Sequence, residues 1–207
     1  MDEYRTIRTA TTGILKEKGS KFIAFAHPVQ NADEIRGILA KLRREYHDAR
    51  HHCYAWRLGD EPGEFRQNDD GEPSGTAGKP IYGQILSMEL HYILIVVIRY
   101  FGGVLLGTGG LIQAYKGAAR EALTAAEIIT LPVTQVLKIR FDYPLMNEVM
   151  KMVKDEELTI VSQDFDLDGR MELRVSRSKL VRVVNRLRAL EGSEILNGTV
   201  VDNFLKR

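Results

Sequence analysis

The run Ile93-Leu94-Ile95-Val96-Val97-Ile98, inside the segment Tyr92–Tyr100, restricts what this chain can fold into more than any other feature. It lacks the alternation of a strand with one wet face and is far too short to cross a bilayer. A central strand buried on both faces fits it. Helical patterns lie on either side in sequence. Asn31 is placed to cap a helix, with Glu34 three residues on in the capping-box arrangement. Ile35, Ile38, Leu39, Leu42 and Tyr46 then recur at helical spacing. After the central strand, Leu111, Ile112, Tyr115, Ala118, Ala119, Ala122 and Leu123 form the inner face of another helix.

Around these elements the spacing predicts strands at Tyr4–Thr9 and Lys21–Val29 joined by a turn containing Gly19, and a strand at His51–Leu58. From Gly59 to Gly78 the chain is rich in Gly, Pro and Asp and is expected to be a loop, longer than most connections. A short helix is expected over about Ile81–Leu90. Leu131-Pro132 marks a boundary between domains 1–131 and 132–207. Beyond it come a strand at Thr134–Asp142 and a helix with Pro144 in its first turn, bearing Leu145, Met146, Val149 and Val153. Strands at Leu158–Phe165 and Met171–Ser176 flank an Asp168-Gly169 hairpin turn. A helix with Leu180, Val183, Val184 and Leu187 and a last strand near Thr199–Leu205 follow. The order βαββαβ is ferredoxin-like, and the whole is an α+β protein of two domains.

Composition closes some routes to function. Lys plus Arg number 29 and Asp plus Glu 28, a net charge of +1, so no global field drives the chain onto nucleic acid or an anionic membrane. Such binding must come from a local patch. Cys53 is the sole cysteine, which excludes an intramolecular disulfide and a cysteine-based metal cage and suits a reducing cytosol. Residues 1–10 carry Asp2, Glu3, Arg5 and Arg8, with no apolar core of a signal peptide. The expectation is a soluble cytoplasmic protein.

Three segments concentrate polar and glycine residues beyond what packing needs. One is Asp48-Ala49-Arg50-His51-His52-Cys53. Another runs from Asn68 through Asp69, Asp70, Gly71, Glu72, Pro73, Ser74, Gly75, Thr76, Ala77 and Gly78 to Lys79-Pro80. The last begins at Arg99-Tyr100-Phe101-Gly102-Gly103 and continues through Gly107-Thr108-Gly109-Gly110 to Tyr115-Lys116. In it a buried strand ends in Arg99 and a tight turn feeds a helix N-terminus, an arrangement that favours an anion such as phosphate. Glycines that only permit close strand–helix packing explain it equally well. The Walker pattern fails, because Pro73 and Pro80 stand where Gly and Ser or Thr are needed, and a dinucleotide fingerprint starting at Gly107 fails at Ile112. Six acids against Arg66 between Asp60 and Glu72 admit a carboxylate–imidazole metal site with His51 or His52. Adjacent histidines on a strand face opposite ways, however, and a solvated turn is the simpler account. No metal ligand set and no cofactor is assigned. Cys53 and Ser74 show no triad order with His51.

In the second domain, Arg170, Arg174, Arg177, Lys179, Arg182, Arg186 and Arg188 face only Glu172, while Asp155–Asp168 holds six acids and no base. The two stretches either neutralise each other or leave a phosphate-tracking surface without aromatic stacking residues.

His51-His52-Cys53, the stretch 68–78, and Val97-Ile98-Arg99-Tyr100-Phe101-Gly102-Gly103 through Leu106-Gly107-Thr108-Gly109-Gly110-Leu111 together resemble the IMPACT family, in its bacterial YigZ-like branch. Several long motifs occur in the right order over about 70 residues. The resemblance implies an N-terminal domain with the ribosomal protein S5 domain 2-like fold. It also implies a ferredoxin-like second domain, the pair being similar to the last two domains of the translocating elongation factor. Eukaryotic relatives carry an additional RWD domain and restrain a translation-initiation kinase by competing for its activator. This chain begins almost directly in the shared domain, so that partner-specific activity is not transferred to it, and the resemblance assigns no catalytic role to the motif residues.

The candidate ligand residues are therefore His51, His52, Asp69, Asp70, Glu72, Ser74, Thr76, Lys79, Arg99, Gly102, Gly103, Gly107, Thr108, Gly109, Gly110 and Lys116, and the candidate RNA-contacting residues are the seven bases of 170–188. The expected function is non-enzymatic binding of RNA, the ribosome or a translation factor. Two alternatives stand: an enzyme acting on a phosphorylated small molecule around His51, Asp70, Arg99 and the glycine turn, or a protein–protein adaptor without a ligand.

Overall fold

A computed structural model describes residues 2–59 and 63–197. The chain forms two compact units, Glu3–Leu131 and the part from Pro132 onward. In the first, β2 (Thr11–Glu17), β3 (Ser20–Pro28), β6 (Ile93–Tyr100), β4 (His51–Leu58) and β5 (Glu64–Asn68) make an antiparallel sheet in the order β2-β3-β6-β4-β5. The aliphatic run lies in the middle strand, β6. Ile93, Ile95 and Val97 enter one core with α2 (Gly78–Ser87) and α3 (Gly107–Thr124), while Leu94, Val96 and Ile98 enter a second core with α1 (Ala32–Glu45). All six are fully buried. Each such side chain removed from water contributes about 1.5–3 kcal/mol, which is why a continuous apolar strand needs a helical layer on each face. The side strands β1 (Glu3–Ile7) and β7 (Ile128–Pro132) pair separately.

The α1 cap forms as expected. Asn31 Oδ1 accepts from Glu34 N at 2.9 Å, and the Glu34 carboxylate accepts from Gln30 N at 2.8 Å. Three features differ from the sequence reading. β2 is an additional edge strand whose signal is weak because Gly13 occupies a core-facing position. A Cβ there would lie 2.3 Å from the Ala122 nitrogen, so β2 and α3 touch backbone to backbone. The segment read as one long loop contains β5, whose exposed residues leave no apolar alternation to read. β7 was also missed. The loop residues Asp60 and Glu61 lie outside the described residues.

In the second unit, β8 (Thr134–Phe141), α4 (Met146–Asp155), β9 (Thr159–Phe165), β10 (Gly169–Ser176), α5 (Arg177–Arg188) and β11 (Ser193–Ile195) follow one another in βαββαβ order. The sheet order is β11-β8-β10-β9. Leu137, Ile139, Phe141, Met171, Leu173 and Val175 face the helices, which contribute Val149, Met152, Leu180, Val183, Val184 and Leu187. Pro144 sits in a 3-10 turn, Tyr143–Leu145, just ahead of α4. The strand expected near 199–205 lies outside the described residues, and the described partner of β8 at that edge is β11.

Gly37 lies inside α1 with nothing within 4 Å of an added Cβ. Gly37→Ala should raise the unfolding free energy by about 0.5–1 kcal/mol through helix propensity alone. Urea denaturation measures this, and a loss of stability would show that α1 is crowded at that point.

Candidate functional site

The three motifs converge at one end of the first unit's sheet. Arg99 is the penultimate residue of β6, in register with His51 at the start of β4 and with Phe22 on β3. Because 93, 95, 97 and 99 share a face, the Arg99 side chain turns toward α3. It is 8% exposed there, and its Nη1 donates to Glu72 Oε1 at 2.7 Å. The Tyr115 hydroxyl, from α3, donates to the same oxygen at 2.7 Å. His51 Nε2 stands 4.0 Å from it. Glu72, 3% exposed, is thus the acceptor that a buried guanidinium and a buried phenol share. Arg99 Nε is buried without a hydrogen-bond partner. Its guanidinium carbon lies 5.5 Å from the Phe22 ring centre and 5.6 Å from that of Phe101, so ring faces replace the missing acceptor.

The acidic loop is folded rather than solvated. Asp69 Oδ1 accepts from Ala77 N at 3.0 Å and Gly78 N at 2.8 Å, and Oδ2 accepts from Gly75 N at 2.8 Å. The carboxylate thereby caps the start of α2, where negative charge is favoured. Gly78 is required by the same closeness, since a Cβ would lie 2.6 Å from Asn68 N. Asp70 adopts φ +41, its N–H donates to Asn68 Oδ1 at 2.7 Å, and its Oδ2 accepts from His52 N at 2.7 Å. Arg43 Nη2 reaches Asp70 Oδ1 at 3.3 Å. His51 Nδ1–H donates to the Asp70 carbonyl at 2.9 Å, and His52 Nε2–H to the Tyr46 carbonyl at 3.1 Å. The two histidines do face opposite ways. Burial lowers the His52 pKa against the pull of Asp70. Thr76 is tied by its hydroxyl to the Pro73 carbonyl at 2.6 Å, while Ser74 and Lys79 are exposed.

Sequence reasoning missed Cys53 and Tyr115 as members of this network. The Cys53 thiol donates to the Asp69 carbonyl at 3.0 Å and lies 3.3 Å from the Tyr115 hydroxyl. Burial pushes the Cys53 pKa up to about 12, which removes it as a nucleophile at neutral pH. Burial and the Cys53 neighbour also raise the Tyr115 pKa. A tyrosine among the small residues of α3's inner face was the available signal, because a phenol buried there needs an acceptor. Among the described residues, no group of three or more His, Cys, Asp or Glu is placed to hold a metal ion.

The glycine turn lies on the outside. Gly102, Gly103, Gly107, Thr108 and Gly109 are exposed and Gly110 half-buried, and Lys116 is exposed farther along α3. Gly102 is needed sterically, since a Cβ would lie 1.8 Å from the Gly19 carbonyl carbon. No side chain caps α3 and no acid stands in its first turn. Phe101, Val104 and Leu105 project from the same turn at 49%, 51% and 84% exposure. The 380 Å³ groove between β2 and α3 is lined by Leu15, Leu106, Gly110 and Ala114 among others, and by neither His51 nor Arg99.

The second unit's bases do not form one surface. Arg170 and Arg174 lie on the sheet face away from the helices, Arg170 paired with Asp168 at 2.9 Å. On α5, Arg182 and Arg186 both bond the buried Glu156 carboxylate, and Arg186 also reaches Asp155 at 3.4 Å. Burial opposes ionisation of Glu156, yet Arg186 and Arg182 hold its pKa below the usual range. Lys179 donates to the Glu156 carbonyl at 2.7 Å and reaches Glu157 at 3.2 Å, and Arg177 and Arg188 also have partners.

The profile of the Impact N-terminal domain matches residues 18–123, the span that holds every member of this network. An IMPACT family member from Haemophilus influenzae is 34% identical over 183 residues, 87% of this chain and 88% of the relative. The chain belongs to the IMPACT family. Among its IMPACT relatives, YigZ of Escherichia coli is 42% identical over 125 residues, 59% of this chain and 61% of YigZ. A crystal structure described only as that of a hypothetical protein matches this IMPACT chain with a TM-score of 0.75 at 27% identity, covering 95% of this chain and 97% of that one. No helix among the described residues is long and apolar enough to cross a membrane.

Two measurements test the network. Glu72→Gln leaves Arg99 without its counter-charge and should cost about 3 kcal/mol of stability in urea denaturation; a change below about 0.5 kcal/mol would mean the pair is wet. Cys53 should resist a thiol reagent in the folded protein at pH 8 and react fully once denaturant is added. Rapid labelling of the folded protein would place the thiol at the surface.

Proposed function

We propose that this chain is a binding protein rather than an enzyme, acting in the cytoplasm and in translation by contact with RNA, the ribosome or a translation factor. One observation carries the reading: the polar groups of the three motifs are spent on each other. Glu72 holds Arg99 and Tyr115, Asp69 holds three backbone N–H groups, and Asp70 holds the start of β4. What the frame offers to the outside is the turn 101–110, with three exposed apolar side chains. Contiguous apolar exposure of that kind marks interaction sites. The link to translation comes from the family resemblance. Kinship of the two units with the S5 domain 2-like and ferredoxin-like folds, and with the last two domains of the translocating elongation factor, belongs to the same proposal.

An enzyme for a phosphorylated small molecule would need Arg99 open to the phosphate. With Glu72 at 2.7 Å, such a substrate has to displace an internal carboxylate. The binding reading predicts that the purified protein co-sediments with ribosomes at low salt and is released steeply as salt rises. Folded protein that stays in the supernatant at low salt and captures no translation factor would contradict it.

A further inference from the structure

At one end of the first unit's sheet, the strand ends bring together cations that the fold does not use. β2 and β3 meet in the turn holding Lys18, and Lys16 and Lys21 are direct register partners beside it. Lys21 pairs in turn with Tyr100 at the end of β6, and β4 enters the sheet next to it with Arg50 immediately before His51. Lys16, Lys18, Lys21 and Arg50 are all exposed, and none meets a carboxylate among the described residues. The acids of these segments are Glu17 and Asp48, and Asp48 accepts the Tyr100 hydroxyl at 2.7 Å. For stability this is a poor arrangement. Like charges directly opposite on paired strands destabilise them, and Lys18 holds φ +45, a conformation that costs a side-chain-bearing residue.

An aromatic face is fixed to the same end. Phe101 follows Tyr100, is 49% exposed, and has the Arg99 guanidinium carbon 5.6 Å from its ring centre. The neighbouring Gly102 packs against Gly19, and its N–H donates to Ser20 Oγ at 3.2 Å. The ring and the Lys18 turn are therefore held at a set spacing, with Phe101 beside Arg99 on the α3 face and Lys16 and Lys21 on the Tyr100 face, so that a chain meeting both crosses the end of the sheet. A ring backed by a cation and open on its other side is a platform for an unstacked base. Cations spaced along strand ends suit a phosphate backbone, whereas an acidic peptide would engage the lysines and leave the ring uncovered.

We propose that this end of the sheet is a binding surface for single-stranded segments of RNA, with phosphates on Lys16, Lys18, Lys21 and Arg50 and a base on Phe101. The inference rests on the reading of the chain as a translation-related binding protein. It places the RNA contact in the first unit rather than on α5, whose bases are neutralised from within.

The test is fluorescence anisotropy with a labelled single-stranded oligoribonucleotide of mixed sequence, titrated at several salt concentrations, beside ribosome co-sedimentation. The variant K16Q/K18N/K21Q removes three cations, and asparagine accepts the positive φ. It should bind RNA at least tenfold more weakly, with the slope of log affinity against log salt flatter by about 2. Its thermal midpoint should be unchanged or higher, because the opposed lysines are gone. Phe101→Ala should weaken binding roughly tenfold with the salt slope unchanged, and supplies an independent readout should the lysine variant misfold. Wild-type affinity in both variants would overturn the surface and leave the binding reading standing. Co-sedimentation with ribosomes without affinity for free RNA would also overturn it, in favour of a protein contact. Failure of the wild type to bind RNA, ribosomes or any translation factor would remove both.

Discussion

A guanidinium at the end of a strand buried on both faces must find a negative partner inside the protein, and in this chain everything around the motifs follows from how it does so. Arg99 lies at the end of β6 because the aliphatic run ahead of it fixes that strand in the middle of the sheet. Its partner, Glu72, comes from a loop with no apolar anchor of its own. That loop reaches Arg99 because Asp69 gathers three backbone N–H groups at the start of α2 and because Asp70, at positive φ, turns the chain back onto β4. Tyr115 closes the arrangement from α3. Ion pair, helix cap and turn are one unit, and removing the carboxylate alone strands a buried charge.

The way the unit's polar groups satisfy one another explains the character of the surface above it. Residues at which a reaction would be expected, His51, Cys53, Asp69 and Glu72, are engaged with one another or with the backbone. Next to them Phe101, Val104 and Leu105 expose apolar side chains. In the proposed binding role the network would serve as the support for these contact residues. The basic face of α5 has the opposite character, since its Arg182, Arg186 and Lys179 are paired with Asp155, Glu156 and Glu157.

The sequence was most legible where packing dictates residue type. The α1 cap, both faces of β6, the βαββαβ order and the inner face of α3 could all be read from periodicity and turn chemistry, except that Ile112, expected on that inner face, is exposed because it lies one position past Leu111 on the helix. β2 and β5 could not, because Gly13 meets α3 through backbone contact and β5 is an exposed edge. A site around His51, Asp70, Arg99 and the glycine turn was one alternative offered by the motifs, but the pairing of Glu72 with Arg99 and the internal use of these groups were not legible. A stretch with six acids looks like a wet loop or a metal site until one knows that backbone donors and Arg99 surround it. Composition carries no record of those donors. Cys53 and Tyr115 went unnoticed as a pair for a similar reason: 62 residues apart, they meet only through the sheet and α3.

The central claim is that the loop 68–78 is held as firmly as the core. Native-state hydrogen exchange at the Gly75, Ala77 and Gly78 amides addresses it most directly, since these are the donors held by Asp69. The account predicts that they open only with the protein as a whole, with protection close to that of the β6 amides. Exchange at the rate of an open loop, while β6 stays protected, would contradict it.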